Sequence, residues 1–178
     1  EIGGPVMTST EVLALDHVPQ RVVVLGGGVI GVELASVLAS FGSTVTVIEA
    51  LPRLVAAEDE AASAALSRAF RKRGITVRAD TRFDSVQRTD DGVTVTLEGG
   101  DSIEADVLVV AVGRGPVSDG MGYAEAGVEL DRGFVVTDER LRTSLPDVYA
   151  VGDLVAGPQL AHRGFAHGLF VADEIAGK

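Results

Sequence analysis

The chain has no cysteine and no tryptophan, and only 2 tyrosines and 2 methionines among 178 residues. The missing cysteine excludes a disulfide framework and any thiol chemistry supplied by these residues, and it fits a reducing, cytoplasmic setting. Basic residues are also scarce. Fifteen Lys and Arg stand against 26 Asp and Glu, for a net charge of −11 and a pI near 4.6. That balance argues against nucleic acid as a partner. No apolar run approaches the length of a bilayer span, so no membrane partner is expected. Glu1 to Thr10 lacks both the basic and the apolar segment of a secretory leader. His17, His162 and His167 form no ligand pattern, and no metal site is expected.

What is abundant is small. There are 22 glycines, and 46% of the residues are hydrophobic although only 4% are aromatic. Such a composition suits an α/β chain with many tight turns. One stretch organises it, Arg21 to Glu49. The apolar run Val22-Val23-Val24-Leu25 predicts a strand that stops at Gly26. Gly26, Gly28 and Gly31 then form a GxGxxG. After it Ile30, Leu34, Val37, Leu38 and Phe41 recur at helical spacing, Gly42 stops the helix, and Thr44 to Ile48 predicts a second strand. In such a turn the first glycine permits the reversal. The second lets the backbone approach a pyrophosphate, and the third lets helix and strand pack closely. The free N–H groups and the dipole at the helix start favour the anion. Glu49 lies 18 residues beyond Gly31, at the end of the second strand, where an acid can accept hydrogen bonds from an adenosine ribose. An acid there favours NAD over NADP, because it would repel a 2′-phosphate. Arg53 nearby is expected to be a solvated loop residue.

Before this stretch, Thr8-Ser9-Thr10-Glu11 resembles an N-cap, and Glu1 to Gln20 as a whole has the character of a linker. After it, a helix is predicted from about Asp59 to Arg73. Acids crowd its start, Arg71, Lys72 and Arg73 its end, and Gly74 is placed as a C-cap. Ile75 to Val77 predicts a third parallel strand. Val86 and Val93 to Leu97, between turns at Asp90-Asp91-Gly92 and Glu98-Gly99-Gly100, predict an antiparallel meander. Asp106 to Val112 is the continuous apolar run of a buried strand, and it ends at Gly113. A polar, glycine-rich stretch from Gly115 to Gly122 marks a domain boundary. Beyond it a short helical piece is expected at Tyr123 to Gly127, a small hairpin around Asp131-Arg132-Gly133, and a short strand ending in Gly152-Asp153. A last helix is expected from about Leu160 to Ala176, with Phe165, Leu169, Ala172 and Ala176 on one face. On the residues alone, Asp153 fits a turn or cap better than a sugar contact, and His162 says little.

Taken in order, GGGVIGVE, the strand ending at Glu49, VAVGRGP, TSLPDVYAVGD and QLAH resemble the pyridine nucleotide-disulfide oxidoreductases, most closely their bacterial dihydrolipoamide dehydrogenase branch. The resemblance spans nearly the whole chain. It implies a Rossmann-like, three-layer NAD-binding domain with a parallel sheet and a β-meander, plus part of an FAD-binding domain. On that template residues 1–19 are a connector from the FAD domain, 20–114 the NAD-binding domain and 115–178 the C-terminal half of the FAD domain. It implies NAD contacts at Gly26, Gly27, Gly28, Val29, Ile30, Gly31, Val32 and Glu33, with Glu33 near the nicotinamide, and at Glu49, Phe83 and Gly113. It implies FAD contacts at Asp153, Gln159, Leu160, Ala161 and His162, which would make only half a site. The family's redox-active cysteine pair and its His–Glu acid–base pair have no counterpart here. The chain is therefore expected to be an internal piece of a larger enzyme that binds NAD(H) and supplies no catalytic residue. The parent is expected to be a homodimer that engages a lipoyl-bearing acyltransferase. The alternatives are a stand-alone nucleotide-binding regulatory module, or a piece of glutathione reductase, mercuric reductase or a soluble transhydrogenase.

Overall fold

Three consecutive valines, Val22 to Val24, leave a strand no polar face, so it must be covered on both sides. The computed structural model, which describes residues 1–178, puts that strand at the centre of a sheet. Along the chain run β1 (Val6–Met7), α1 (Ser9–Val12), β2 (Arg21–Leu25), α2 (Val29–Ser40), β3 (Thr44–Ile48), α3 (Glu60–Lys72) and β4 (Thr76–Arg78). Next come β5 (Phe83–Thr89), β6 (Gly92–Leu97), β7 (Ser102–Ala105) and β8 (Val107–Val110). The sheet order is β1-β8-β2-β3-β4, and every pairing is parallel. Strands β5, β6 and β7 form a separate antiparallel sheet.

Alternate side chains of the parallel sheet serve two cores. Val22, Val24, Val45, Val47, Val107 and Val109 face Leu34, Ala35 and Leu38 of α2 and Phe70 of α3. Val23, Ile48 and Leu108 face Val93, Val95 and Leu97 of the meander. The result is three layers: helices, parallel sheet, meander. All of these side chains are buried. The β8 register is fixed at the sheet's lower end by Asp106, whose carboxylate accepts the N–H groups of Gln20 and Arg21, both at 2.9 Å, and the Arg21 guanidinium.

The helix ends follow from local chemistry. Asp59 caps α3 by accepting from the Ala61 N–H, and Gly74 takes φ +78 just past its last turn. Arg73 reaches across to α2 and donates to the Ser36 carbonyl and to the hydroxyls of Ser36 and Ser40. Two expectations change in this part of the chain. The opening segment is no linker: a capping box between Thr8 and Glu11 closes α1, and Val6 is buried where β1 pairs with β8. The last apolar run stops pairing at Val110, and Val112 is 70% exposed.

The chain divides into two compact units, Glu1–Gly113 and Arg114–Lys178. The second holds a small hairpin of β9 (Leu130–Asp131) and β10 (Phe134–Val135), a 3₁₀ turn at Gly152–Leu154 and helix α4 (Ala161–Ile175). The helix expected at Tyr123 to Gly127 is a set of hydrogen-bonded turns instead. Gly120, Gly122 and Gly127 all adopt positive φ there, which a helix cannot continue through. The strand expected before Gly152-Asp153 is reduced to one bridge, Arg142 to Tyr149. No neighbouring strand runs beside Val148 to Val151 to complete a ladder. Helix α4 forms as expected, and the face that carries Phe165, Leu169 and Ala172 is its exposed side. Phe165 and Leu169 are 75% and 72% exposed, while Val171 is buried. Gly164 of α4 lies close to Gly152, where neither residue has a side chain to hold the backbones apart.

Candidate functional site

In the first unit the β2–α2 turn is built by steric exclusion. Gly26 takes φ +109, and a Cβ there would overlap the Ala111 carbonyl of the strand-end beside it. A Cβ on Gly31 would overlap the Gly26 carbonyl, so helix and turn touch backbone to backbone. Gly28 is different: nothing lies within 4 Å of the position its Cβ would take. It is the N-cap of α2 and offers no side-chain acceptor to the first N–H groups of the helix. Those groups face outward with the positive end of the dipole behind them. Of the first helical residues, Gly31 and Val32 are buried, Ile30 is half-buried, and Val29 and Glu33 are exposed.

Glu49 is half-buried at the end of β3, and both of its oxygens are engaged. Oε2 accepts the Gly27 N–H at 2.6 Å and Oε1 the Leu51 N–H at 2.7 Å. The carboxylate thus ties the glycine turn to the turn that leaves β3. A cavity of about 520 Å³ opens beside it, lined among others by Gly26, Glu49, Phe83, Arg82 and Val112. The expected residues Gly26, Glu49 and Phe83 therefore come together at one cavity. Gly113, exposed and at φ +152, follows the lining residue Val112. Gly27 is confined too, by side chains rather than by backbone. A Cβ on it would lie 2.6 Å from Leu54 Cδ2 and 3.1 Å from the Glu49 side chain. The motif spacing does not announce that constraint, because Gly27 falls on a variable position.

Arg53 departs from expectation. It is half-buried, and its guanidinium donates to the carbonyls of Ala56 (2.7 Å) and Glu58 (2.9 Å) and to Ser63 Oγ (2.8 Å). No periodicity marks this role. The only signal is an arginine directly ahead of the short apolar stretch Leu54 to Ala57.

In the second unit Asp153 sits in the first turn of the 3₁₀ segment, and its side chain is exposed. Leu160 is the N-cap of α4 and supplies no side-chain cap, so the N–H groups beside Ala161 and His162, both exposed, have no side-chain partner. Gln159 Nε2 is the one buried side-chain polar atom in the chain with no hydrogen-bond partner. Arg163 closes the loop before the helix by donating to the carbonyls of Val155, Ala156 and Pro158.

His167 is a residue the sequence does not single out. Its Nδ1 accepts the Gly152 N–H at 3.2 Å, which requires that nitrogen to be unprotonated. Burial, and then the positive charge of Arg163 one turn earlier, hold the imidazole below its ordinary pKa. A depressed histidine favours the folded state fully above its unfolded pKa, near 6.5, and loses that contribution as pH falls through the lower folded value. The thermal midpoint, followed by circular dichroism from pH 7.5 to 5.0, is expected to fall more for the wild type than for His167→Gln. Parallel curves would show that His167 does not couple to folding.

Comparison with known proteins follows the same lines. The family described as pyridine nucleotide-disulphide oxidoreductase matches residues 2–168. The dihydrolipoyl dehydrogenase of Chlorobaculum tepidum is 43% identical over 180 residues, covering 99% of this chain and 38% of that protein. The dihydrolipoyl dehydrogenase of Bacillus subtilis is 37% identical and is covered to the same 38%. Among solved structures, the HOCl-induced flavoprotein disulfide reductase RclA from Escherichia coli superposes with a TM-score of 0.91 at 31% identity. That match covers 98% of this chain and 40% of that one. The chain thus spans about two fifths of the length of the relatives it matches.

Proposed function

The chain belongs to the pyridine nucleotide-disulphide oxidoreductase family, and on that premise we propose that its first unit binds NAD(H). The pyrophosphate lies on the turn from Gly26 to Val32, against the N-terminus of α2. The adenosine ribose is held by Glu49, the adenine lies toward Phe83, and the dinucleotide passes Gly113 on its way to Glu33, beside the nicotinamide. One observation carries the reading. The open face of Gly28 and the uncapped start of α2 follow closely on Gly26, and Gly26 lines a cavity of about 520 Å³ together with a carboxylate at the end of β3, Glu49. An anion fits the open helix start and a diol the carboxylate.

In the second unit the uncapped start of α4 and the orphaned Gln159 Nε2 fit a polar ligand. Gln159, Leu160, Ala161 and His162 would hold an FAD ring system and Asp153 its ribityl and phosphate region. FAD, when bound, supplies the two-electron carrier between a dithiol and the nicotinamide. The whole protein is a cytoplasmic, dimeric dihydrolipoamide dehydrogenase that works with a lipoyl-bearing acyltransferase. The 31% identity to RclA favours, as second reading, a flavin disulfide reductase with another substrate.

The test is titration of the chain with NADH, NADPH and FAD by calorimetry. NADH is expected to bind more tightly than NADPH, and FAD weakly or not at all. Absence of NADH binding, or a preference for NADPH, would overturn the reading of the first unit.

A further inference from the structure

Arg53 follows Glu49 closely in sequence and carries the charge that a 2′-phosphate would need. Its donors are committed elsewhere. They converge on the carbonyls of Ala56 and Glu58 and on Ser63 Oγ, with a longer contact of 3.4 Å to the Val55 carbonyl. Ser63 is buried, and its hydroxyl in turn donates to the Leu54 carbonyl. The loop held this way is under constraint. Val55, a β-branched residue, sits at φ +42, a conformation such residues adopt only when their surroundings enforce it. That conformation is tied to one contact: the Val55 N–H donates to the Gly27 carbonyl at 2.7 Å. Leu54, fully buried, lies against the α-carbon of the same glycine. Gly27 is therefore gripped on both peptide groups, its N–H by Glu49 and its carbonyl by Val55.

We infer that Arg53 is a positioning residue of the nucleotide turn: it fixes the loop that grips Gly27, and takes no part in reading the 2′ position of the dinucleotide. The inference rests on the NAD(H) reading of the first unit. A planar guanidinium can serve several carbonyls at once, as Arg163 does in the second unit, whereas an ammonium is a single point of donation. The orientation of the Gly28 and Val29 N–H groups toward a pyrophosphate follows from where Gly27 is held. Losing Arg53 therefore weakens every ligand of that turn alike.

The test titrates the 178-residue chain with NADH and NADPH as wild type, Arg53→Ala, Arg53→Lys and Ser63→Ala. It pairs calorimetry with ¹⁵N amide spectra. Arg53→Ala is expected to weaken both nucleotides about tenfold, with their ratio unchanged. Arg53→Lys does not restore the affinity, and Ser63→Ala shows a smaller loss in the same direction. The Gly27 and Val55 amide signals move in all three variants. Calorimetric stoichiometry reports the folded fraction, and Ser63→Ala carries the test if Arg53→Ala fails to fold. A loss confined to NADPH, full rescue by lysine, or unmoved Gly27 and Val55 signals would overturn the inference. If the wild type binds neither nucleotide, the NAD(H) reading falls, and the amide signals alone decide the role of Arg53.

Discussion

Gly31→Ala is expected to lower the stability of the first unit by about 2–3 kcal/mol, a net figure after alanine's helix-propensity advantage of up to ~1 kcal/mol is subtracted. The new methyl group meets the Gly26 carbonyl, a backbone atom with no rotamer through which to yield. Gly26 cannot retreat either, because its N–H is bound to the Ile48 carbonyl at 2.8 Å and its own α-carbon lies against Ala111. Helix α2 must lift from the sheet, and that separates Leu34, Ala35 and Leu38 from the valines of β2 and β3. A drop in the thermal midpoint on the order of 10 °C is the readout. Gly28→Ala is the control. Its φ of −73° suits alanine and the space beside it is open, so stability holds while nucleotide affinity falls. A Gly31→Ala protein that melts with the wild type would sink the close-packing account.

Glu49→Ala is expected to weaken NAD(H) binding by about 1–3 kcal/mol, roughly fivefold to more than a hundredfold. Its carboxylate already accepts two backbone N–H groups, but it has about four acceptor positions. A ribose diol therefore adds to the backbone bonds rather than displacing them. Removal strips the ligand of its charge-assisted partners and leaves the Gly27 N–H without one in a half-buried site. Glu49→Gln is expected to do nearly as badly, because its amide group turns a donor toward one of two donors. In both variants the preference for NADH over NADPH shrinks, since the charge that repels a 2′-phosphate is gone. Unchanged affinity by calorimetry would remove Glu49 from the ribose site.

The first unit was largely legible from its residues because each of its elements completes itself locally. The valine run of β2, the GxGxxG with helical spacing after it, and the Asp59 cap of α3 are decided within a few positions of one another. The meander was legible because Val93, Val95 and Leu97 alternate with polar residues on a sheet buried on one side. The second unit was less so. Val148 to Val151 has the composition of a strand, but a strand is a property of a pair, and the partner is not a local matter. Phe165 and Leu169 have the spacing of a packed face, yet that face of α4 is exposed in this chain. In the candidate site, the tight turn at Gly26 and Gly31 and the place of Glu49 at the end of β3 were readable from spacing. Arg53 and His167 were not, because both act through backbone groups, and a carbonyl or amide carries no signature in the sequence.

The place of β8 bears on how the first unit is assembled in time. It is the last strand of that unit to be synthesised, yet it lies between β1 and β2, pairing Val6 with Leu108 and Val22 with Val107. Until Val107 to Val110 has emerged, β1 has no neighbour and β2 is an open edge of bare valines. Such long-range parallel pairing is slow, and exposed edges recruit other chains. A nascent chain halted before residue 107 is thus a sticky intermediate, and the acidic excess of the sequence helps to keep such chains apart.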